Sequence, residues 1–268
     1  MTGWEVVAVR YATRTTRARE VYLNHHVYGE PDRDVQMDYF FWVVRNDERT
    51  VLIDTGFTPE VGRSRGRTMT CPVPEALQRL HVDPAEVDTV VITHAHYDHT
   101  GNLGLFDRAQ VVISGRELDF WTGAYAHRVQ FAHSAHWPDV ELLADLDRAG
   151  RVTRVDGRHR LTDGIELMVV GGHTPGQLIV RVSTDWGSAL LASDAVHYYD
   201  ELDDDRPFVV VADLEQMYRG FDTVAEIAAE PGVALVAGHD PLVLSRFPAV
   251  DPADPSFAVR VDAGEEPS

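Results

Sequence analysis

Within six residues, His94-Ala95-His96-Tyr97-Asp98-His99, the chain places three imidazoles and a carboxylate. Neutral imidazole is a preferred donor to Zn²⁺ and similar cations, and carboxylate completes such donor sets. The cluster is internal and ends an apolar run, Val90–Thr93, which separates it from a solvated His-rich tract. Alternation at a strand end sends His94 and His96 the same way and leaves Asp98 and His99 on the turn beyond. Three more candidates share one setting, a short apolar strand ending in His or Asp. They are His173 after IELMVVGG, Asp194 after SALLAS and His239 after VALVAG. Strand ends converge at one edge of a sheet, so these termini bring together enough donors for two metals, with Asp194 available as a bridge.

The elements that must position these residues are readable as short β-rich runs and helical patterns. Strands are expected at Glu5–Val9, Tyr39–Arg45, Val51–Asp54, Asp88–Thr93 and Gln110–Ser114 in the first half. The second half repeats the pattern at Ile165–Gly171, Leu178–Val182, Ala189–Ser193 and Val233–Ala237. Helical spacing is present at Pro74–Leu80, Glu117–Ala124 and Val140–Ala149. It is strongest at Asp213–Ala229, where Leu214, Met217, Phe221, Val224 and Ile227 recur on one face. Two groups of strands with their own helices predict an α/β layered fold, two packed sheets with helices outside. No linker or repeat divides the 268 residues, so one domain is expected, with a loose C-terminal tail from about Asp251.

Composition narrows the function. Formal charge is −19, with 43 acidic against 24 basic residues, the reverse of what a nucleic-acid surface needs. All the basic residues are arginine; without lysine, Schiff-base chemistry and a P-loop are excluded. One cysteine, Cys71, excludes an internal disulfide and a thiolate zinc finger. No apolar run is long enough for a membrane span, and the N-terminus has no apolar core of a secretory signal. A cytoplasmic enzyme with no membrane or nucleic-acid partner is expected.

The ordered set His94-x-His96-x-Asp98-His99, His173, Asp194 and His239 resembles the metallo-β-lactamase fold superfamily. Ile53-Asp54-Thr55-Gly56, Gly172-His173-Thr174-Pro175-Gly176 and Gly238-His239 support the likeness. The resemblance implies an αββα sandwich of two mixed sheets with a dinuclear site at one sheet edge. It also implies His94, His96 and His173 on the first metal, Asp98, His99 and His239 on the second, and Asp194 between them. Asp54 then accepts a hydrogen bond from a ligand imidazole. Two ions of this kind generate a bridging hydroxide and polarise a carbonyl, which is hydrolysis; Asp98 can shuttle the proton. Zinc is the default, with Fe, Mn or Co compatible with the same ligands.

Length and layout are most similar to the N-acyl-homoserine lactonase branch, which implies opening of a lactone or cyclic ester of a small, partly apolar molecule. A glyoxalase II-type thioesterase is the alternative. Lactonases of that branch carry a tyrosine three residues after the bridging Asp. Here His197 holds that place, followed by Tyr198, and either is expected to assist the substrate carbonyl. Branch relatives are often dimers, so a homodimer stays open. Segment 120–138 offers Phe120, Trp121, Tyr125, Phe131 and Trp137 either as an apolar wall near the metals or as a helix packed on a sheet. Arg63-Ser64-Arg65-Gly66-Arg67 reads as a solvated loop, with an anion-binding role as its alternative. The acidic run 200–205 also reads as a solvated loop. His25 and His26 read either as part of a loop over the site or as ordinary surface.

Overall fold

Runs such as Phe40–Val44 and Ala189–Ala192 are apolar at every position, so strands made of them need a covering layer on each face. The computed structural model, which describes residues 3–263, supplies both layers. One sheet is built from β1 (Glu5–Arg17), β2 (Asp34–Arg45), β3 (Thr50–Ile53), β4 (Thr68–Met69), β5 (Thr89–Val91), β6 (Gln110–Ser114) and β7 (Val152–Val155). The other holds β8 (Arg158–Thr162), β9 (Ile165–Val169), β10 (Leu178–Thr184), β11 (Gly187–Ser193) and β12 (Val233–Ala237). A last strand, β13 (Ala258–Arg260), returns to the first sheet. Strand order is β13-β1-β2-β3-β5-β6-β7, with β4 also on β1, and β12-β11-β10-β9-β8.

The helices are α1 (Pro59–Ser64), α2 (Val73–Arg79), α3 (Tyr97–Thr100), α4 (Gly115–Trp121), α5 (Val129–Ala132), α6 (Trp137–Arg148), α7 (Tyr199–Asp203), α8 (Leu214–Ala228) and α9 (Val243–Arg246). Period-two alternation sorts the strand residues into layers. Val6, Ala8, Phe40 and Trp42 meet Leu178, Val180 and Leu191 between the sheets. Val7, Val9, Phe41 and Val43 belong to the opposite face, in one core with Leu77, Leu118 and Leu143 from the helices. Ile179 and Leu190 join Met217, Phe221 and Val224 of α8. The result is the αββα arrangement.

Strand direction decides where the chemistry gathers. β3, β5, β6 and β7 are parallel, as are β11 and β12. Because β10 is antiparallel to both β9 and β11, β9 runs with β11 and β12. The C-terminal ends of β3 and β5 therefore deliver Asp54 and the His94–His99 turn, while β9, β11 and β12 deliver His173, Asp194 and His239. The two edges are joined: Leu178 N donates to Thr93 O at 2.9 Å, and Thr93 Oγ1 lies 2.9 Å from Ser193 Oγ.

Every strand expected from the sequence forms. The expectation missed β7 and β8, whose alternating polar residues are half-exposed and lack an apolar run, and the two-residue β4. It was wrong about the tail. From Asp251 the chain is not loose through Ala263: β13 pairs antiparallel with β1, Val7 opposite Arg260 and Val9 opposite Ala258. Phe257, Ala258, Val259 and Val261 are buried there, so apolar burial ties down a segment whose Asp and Pro content suggested solvent. Residues from Gly264 lie outside the described part. Truncation after Val250 should destabilise the protein by on the order of 5 kcal/mol, from three large buried side chains. Denaturant titration checks this; an unchanged midpoint would contradict it.

Candidate metal centre

Each strand end hands its ligand to the same interior point because the local backbone leaves room for nothing else. Gly172 precedes His173 at φ +91°, and a Cβ there would fall 2.5 Å from the Met217 Cα at the start of α8. Gly238 precedes His239, where a Cβ would meet Ser193 O at 2.5 Å. Asp54 and Ser193 are non-glycine residues in the left-handed region, at φ 63° and 45°. Such backbone persists only where surrounding contacts hold it. Asp54 shows those contacts: Oδ1 accepts from Thr93 N at 2.8 Å, and Oδ2 from Thr93 Oγ1 at 2.8 Å and His99 Nδ1 at 2.7 Å.

Two buried donor groups result. His94, His96, His173 and Asp194 present ligand atoms all within 4.8 Å of one another, and so do Asp98, His99 and His239. In the first, His94 Nε2 and His173 Nε2 each lie 3.0 Å from His96 Nδ1. Asp194 Oδ2 is 3.7 Å from His94 Nε2 and 3.3 Å from His173 Nε2. Its other oxygen, Oδ1, is 3.4 Å from His99 Nε2 and 3.2 Å from His239 Nε2. Asp98 closes the second group, 3.8 Å from His99 Nε2 and 3.9 Å from His239 Nε2. One carboxylate thus shares its oxygens between two donor sets.

The residues fit a pair of divalent cations on their own chemistry. Asp194 Oδ1, His99 Nε2 and His239 Nε2 are buried and have no hydrogen-bond partner among the described residues, although buried polar atoms normally find one. The far ring nitrogens are engaged: His173 Nδ1 donates to Val210 O at 2.8 Å and His239 Nδ1 to Asp38 O at 2.7 Å. His99 Nδ1 is taken by Asp54, as above. Occupying Nδ1 with the proton leaves the Nε2 lone pair facing inward, the tautomer a metal requires.

Electrostatics agree. Burial pushes the pKa of His94 and His96 well below that of a free histidine, and that of His173 down to about 3, so these rings are neutral donors. Burial opposes the charge on Asp194, but the surrounding histidines, His239 and His197 foremost, hold its carboxyl well below the usual range. His99 differs from those rings: burial works against its charge, but Asp194, Asp54 and Asp98 outweigh that and raise its pKa well above that of a free histidine, so a cation bound there would take the place of its proton.

His197 and Tyr198, expected at the substrate carbonyl, sit elsewhere. His197 is fully buried behind Asp194, with Nε2 3.2 Å from Asp194 Oδ2 and Nδ1 3.3 Å from Glu201 Oε1. Burial opposes its charge, yet Glu201 and then Asp194 bring its pKa up to about 9. The Phe208 ring stacks on it at 3.8 Å, and Phe208, not His197, lines the cavity over the donors. Tyr198 turns its hydroxyl to Gln36 O at 3.2 Å and is absent from that wall. The acidic run is likewise not wholly solvated, since Glu201 is buried against His197.

Of the aromatic segment, Phe120, Trp121 and Phe131 line a cavity of about 170 Å³ beside His96 and His173. Tyr125 is exposed, and Trp137 stacks on His127 instead. His25 is buried against Tyr22 and Tyr28, and His26 is exposed. Sequence reasoning missed Glu117, whose fully buried carboxylate staples two ligand turns together. Oε1 accepts from Ala95 N at 2.9 Å and Trp121 Nε1 at 2.7 Å, and Oε2 from Gly176 N at 2.8 Å. Its neighbour Arg116 and the surface-like spacing of α4 hid it; no local signal marks a glutamate as buried.

Two donor groups sharing one carboxylate, at the common edge of two layered sheets, make a candidate site for a pair of divalent cations. The chain belongs to the metallo-beta-lactamase superfamily, whose family model matches residues 38–246. It is similar to the N-acyl homoserine lactonase AiiA of Bacillus thuringiensis subsp. kurstaki, 20% identical over 225 residues that cover 78% of this chain and 84% of that protein. A solved quorum-quenching N-acyl homoserine lactone lactonase superposes with TM-score 0.74 at 20% identity, covering 90% of this chain and 93% of that one. AidC, a dizinc quorum-quenching lactonase solved with its product N-hexanoyl-L-homoserine, superposes with TM-score 0.69 at 17% identity, covering 90% and 89%. Among the described residues no helix is long and apolar enough to cross a membrane.

Two outcomes follow from the site. Asp194→Ala should lower divalent-metal content from two ions per chain to below one by elemental analysis, with circular dichroism unchanged; two retained ions would refute the shared carboxylate. Glu117→Ala orphans three buried donors and should cost about 3 kcal/mol or more in denaturant unfolding.

Proposed function

We propose that the chain is a dinuclear zinc hydrolase that opens the ring of a lactone or related cyclic ester. The observation that carries this reading is the division of Asp194 between the two donor groups, Oδ2 toward one and Oδ1 toward the other. The lactonases similar to it in sequence and fold support the substrate class, and the dizinc relative supports the metal. His94, His96, His173 and Asp194 would hold one ion, and Asp98, His99, His239 and Asp194 the other. When bound, such a pair supplies an activated water nucleophile at neutral pH and polarises the ester carbonyl.

The chain's own residues do the rest. Asp98, which faces the cavity, takes a proton from the attacking water and returns one to the ring oxygen as the C–O bond breaks. One water is consumed, and the product is a hydroxy acid that ionises to a carboxylate and a proton. Phe120, Trp121, Phe131 and Val209–Val211 form an apolar wall that receives the nonpolar part of the substrate and excludes bulk water. His197 is a positioning residue: held by Glu201, it fixes the orientation of Asp194 without touching substrate.

Metal-replete protein should release protons from simple lactones and leave glutathione thioesters intact, read with a pH indicator. Thioester turnover with silence on lactones would overturn the reading. His197→Phe should lower kcat by about 10- to 100-fold, as loss of a group orienting a ligand does, and weaken metal retention while KM changes little. An unchanged kcat would remove His197 from that role.

A further inference from the structure

Most arginines in this acidic chain are used in ion pairs: Arg17 with Asp34 at 2.7 Å, Arg154 with Asp147 and Asp119 at 2.7 Å, Arg79 with Asp254 at 2.9 Å. Three depart from that pattern together. Arg14, Arg65 and Arg67 line one cavity of about 210 Å³, on whose wall His96, Asp98, His173 and Asp194 also lie. Among the described residues none of the three pairs with a carboxylate. Arg65 donates to His133 O and Ala135 O, both at 2.7 Å, and its guanidinium lies 3.9 Å above the Tyr97 ring. Arg67 Nε donates to Tyr97 Oη at 3.0 Å. Arg14 Nε is buried with no hydrogen-bond partner at all. Glu20 shares the wall, but it accepts from Thr16 Oγ1 at 2.8 Å and makes no ion pair with any of them.

Half-buried guanidinium groups without a counter-charge cost desolvation energy, so a cluster of them needs a compensating anion. Ions bound at the two donor groups would already satisfy Asp98 and Asp194, leaving the arginine charge to a ligand. Stacking on Tyr97 and the bonds to two carbonyls fix the Arg65 guanidinium in place, so its positive charge and its remaining N–H groups are held at the cavity before any ligand arrives. The cavity whose aromatic wall is Phe120, Trp121 and Phe131 adjoins this one through His96, His133, Ser134 and His173. Each arm is smaller than a usual ligand pocket, and the two together offer room for one extended molecule.

We propose that the substrate carries a carboxylate or phosphate besides its reacting ester, received by Arg14, Arg65 and Arg67, with its apolar portion in the opposite arm. This inference rests on the hydrolase reading for the position of the ester, and its own observations are the unpaired arginines.

The test uses three lactones alike except for one terminal group: carboxylate, phosphate monoester or neutral amide. Metal-replete enzyme should open at least one charged lactone with kcat/KM about tenfold or more above the amide, the return on a charge-assisted hydrogen bond, and the advantage should shrink as salt rises. Whichever charged twin wins names the anion. Arg14→Gln and Arg67→Gln should each erase most of that preference, and Arg67→Lys should keep part of it. Arg108→Gln, an exposed site off the cavity wall that removes the same charge, should preserve it. Equal turnover of all three lactones, or equal loss on all three in the variants, overturns the proposal. Calorimetric titration with the ring-opened products, all bearing the new carboxylate and differing only in the charged or amide terminal group, runs in parallel. If no lactone is opened, the hydrolase reading falls, while tighter binding of the product with the charged terminal group than of its amide twin, a difference that Arg67→Gln abolishes, still upholds the anion site. Equal binding of both products refutes it.

Discussion

Burial strips water from the seven imidazole and carboxylate side chains that this protein gathers around a single interior point, leaving several of their inward-facing atoms without a hydrogen-bond partner among the described residues. His94 and His173 both hold Nε2 within 3.0 Å of His96 Nδ1, with Asp194 between them and the second donor group. A cation would satisfy those atoms together, and ligands aimed before it arrives lower the cost of binding it. Much of the surrounding structure is explicable as backing for those aims. Asp54 holds His99, the carbonyls of Asp38 and Val210 hold His239 and His173, and Glu201 acts through His197 on Asp194.

The two-sheet architecture is what makes this backing available. One sheet contributes the His94–His99 turn and the other contributes His173, Asp194 and His239, so neither half is a site alone. The sheets are tied at two strained backbone positions. Asp54 and Ser193, both in left-handed backbone, reach the same Thr93 hydroxyl from opposite sheets. The inter-sheet core of Trp42, Leu167, Val180 and Leu191 fixes the separation of those two edges. A one-residue register slip of any of these strands would turn the ligand it carries away.

Around this centre the protein reverses its own surface chemistry. A chain with net charge −19 brings unpaired arginines to one side of the donors and a cluster of aromatic and valine side chains to the other. Long-range repulsion of anions by the surface is screened over about 8–10 Å of salty water, whereas guanidinium groups inside a cavity act at short range and are screened less. Bulk charge therefore speaks to partners such as nucleic acid and not to what the cavity admits.

The amino-acid sequence alone determined the donor set and the strands that carry it. Ligation demands particular residue types, and a strand end imposes a spacing that is visible locally, as in His94-x-His96 and in His173, Asp194 and His239 after apolar runs. The layers were legible for the same reason, because strands covered on both faces read as continuous apolar runs. What only the tertiary structure decided lies between residues distant in sequence. Asp38 and His239 are 201 positions apart, Glu117 and Gly176 are 59 apart, and β13 closes on β1 across nearly the whole chain. His197 shows the same limit: its place after the strand suggested a substrate contact, and Glu201 with Phe208 turns it inward instead. Local periodicity records which way a side chain leaves its own strand, but burial and the partner of each polar atom are set by what packs against it from elsewhere.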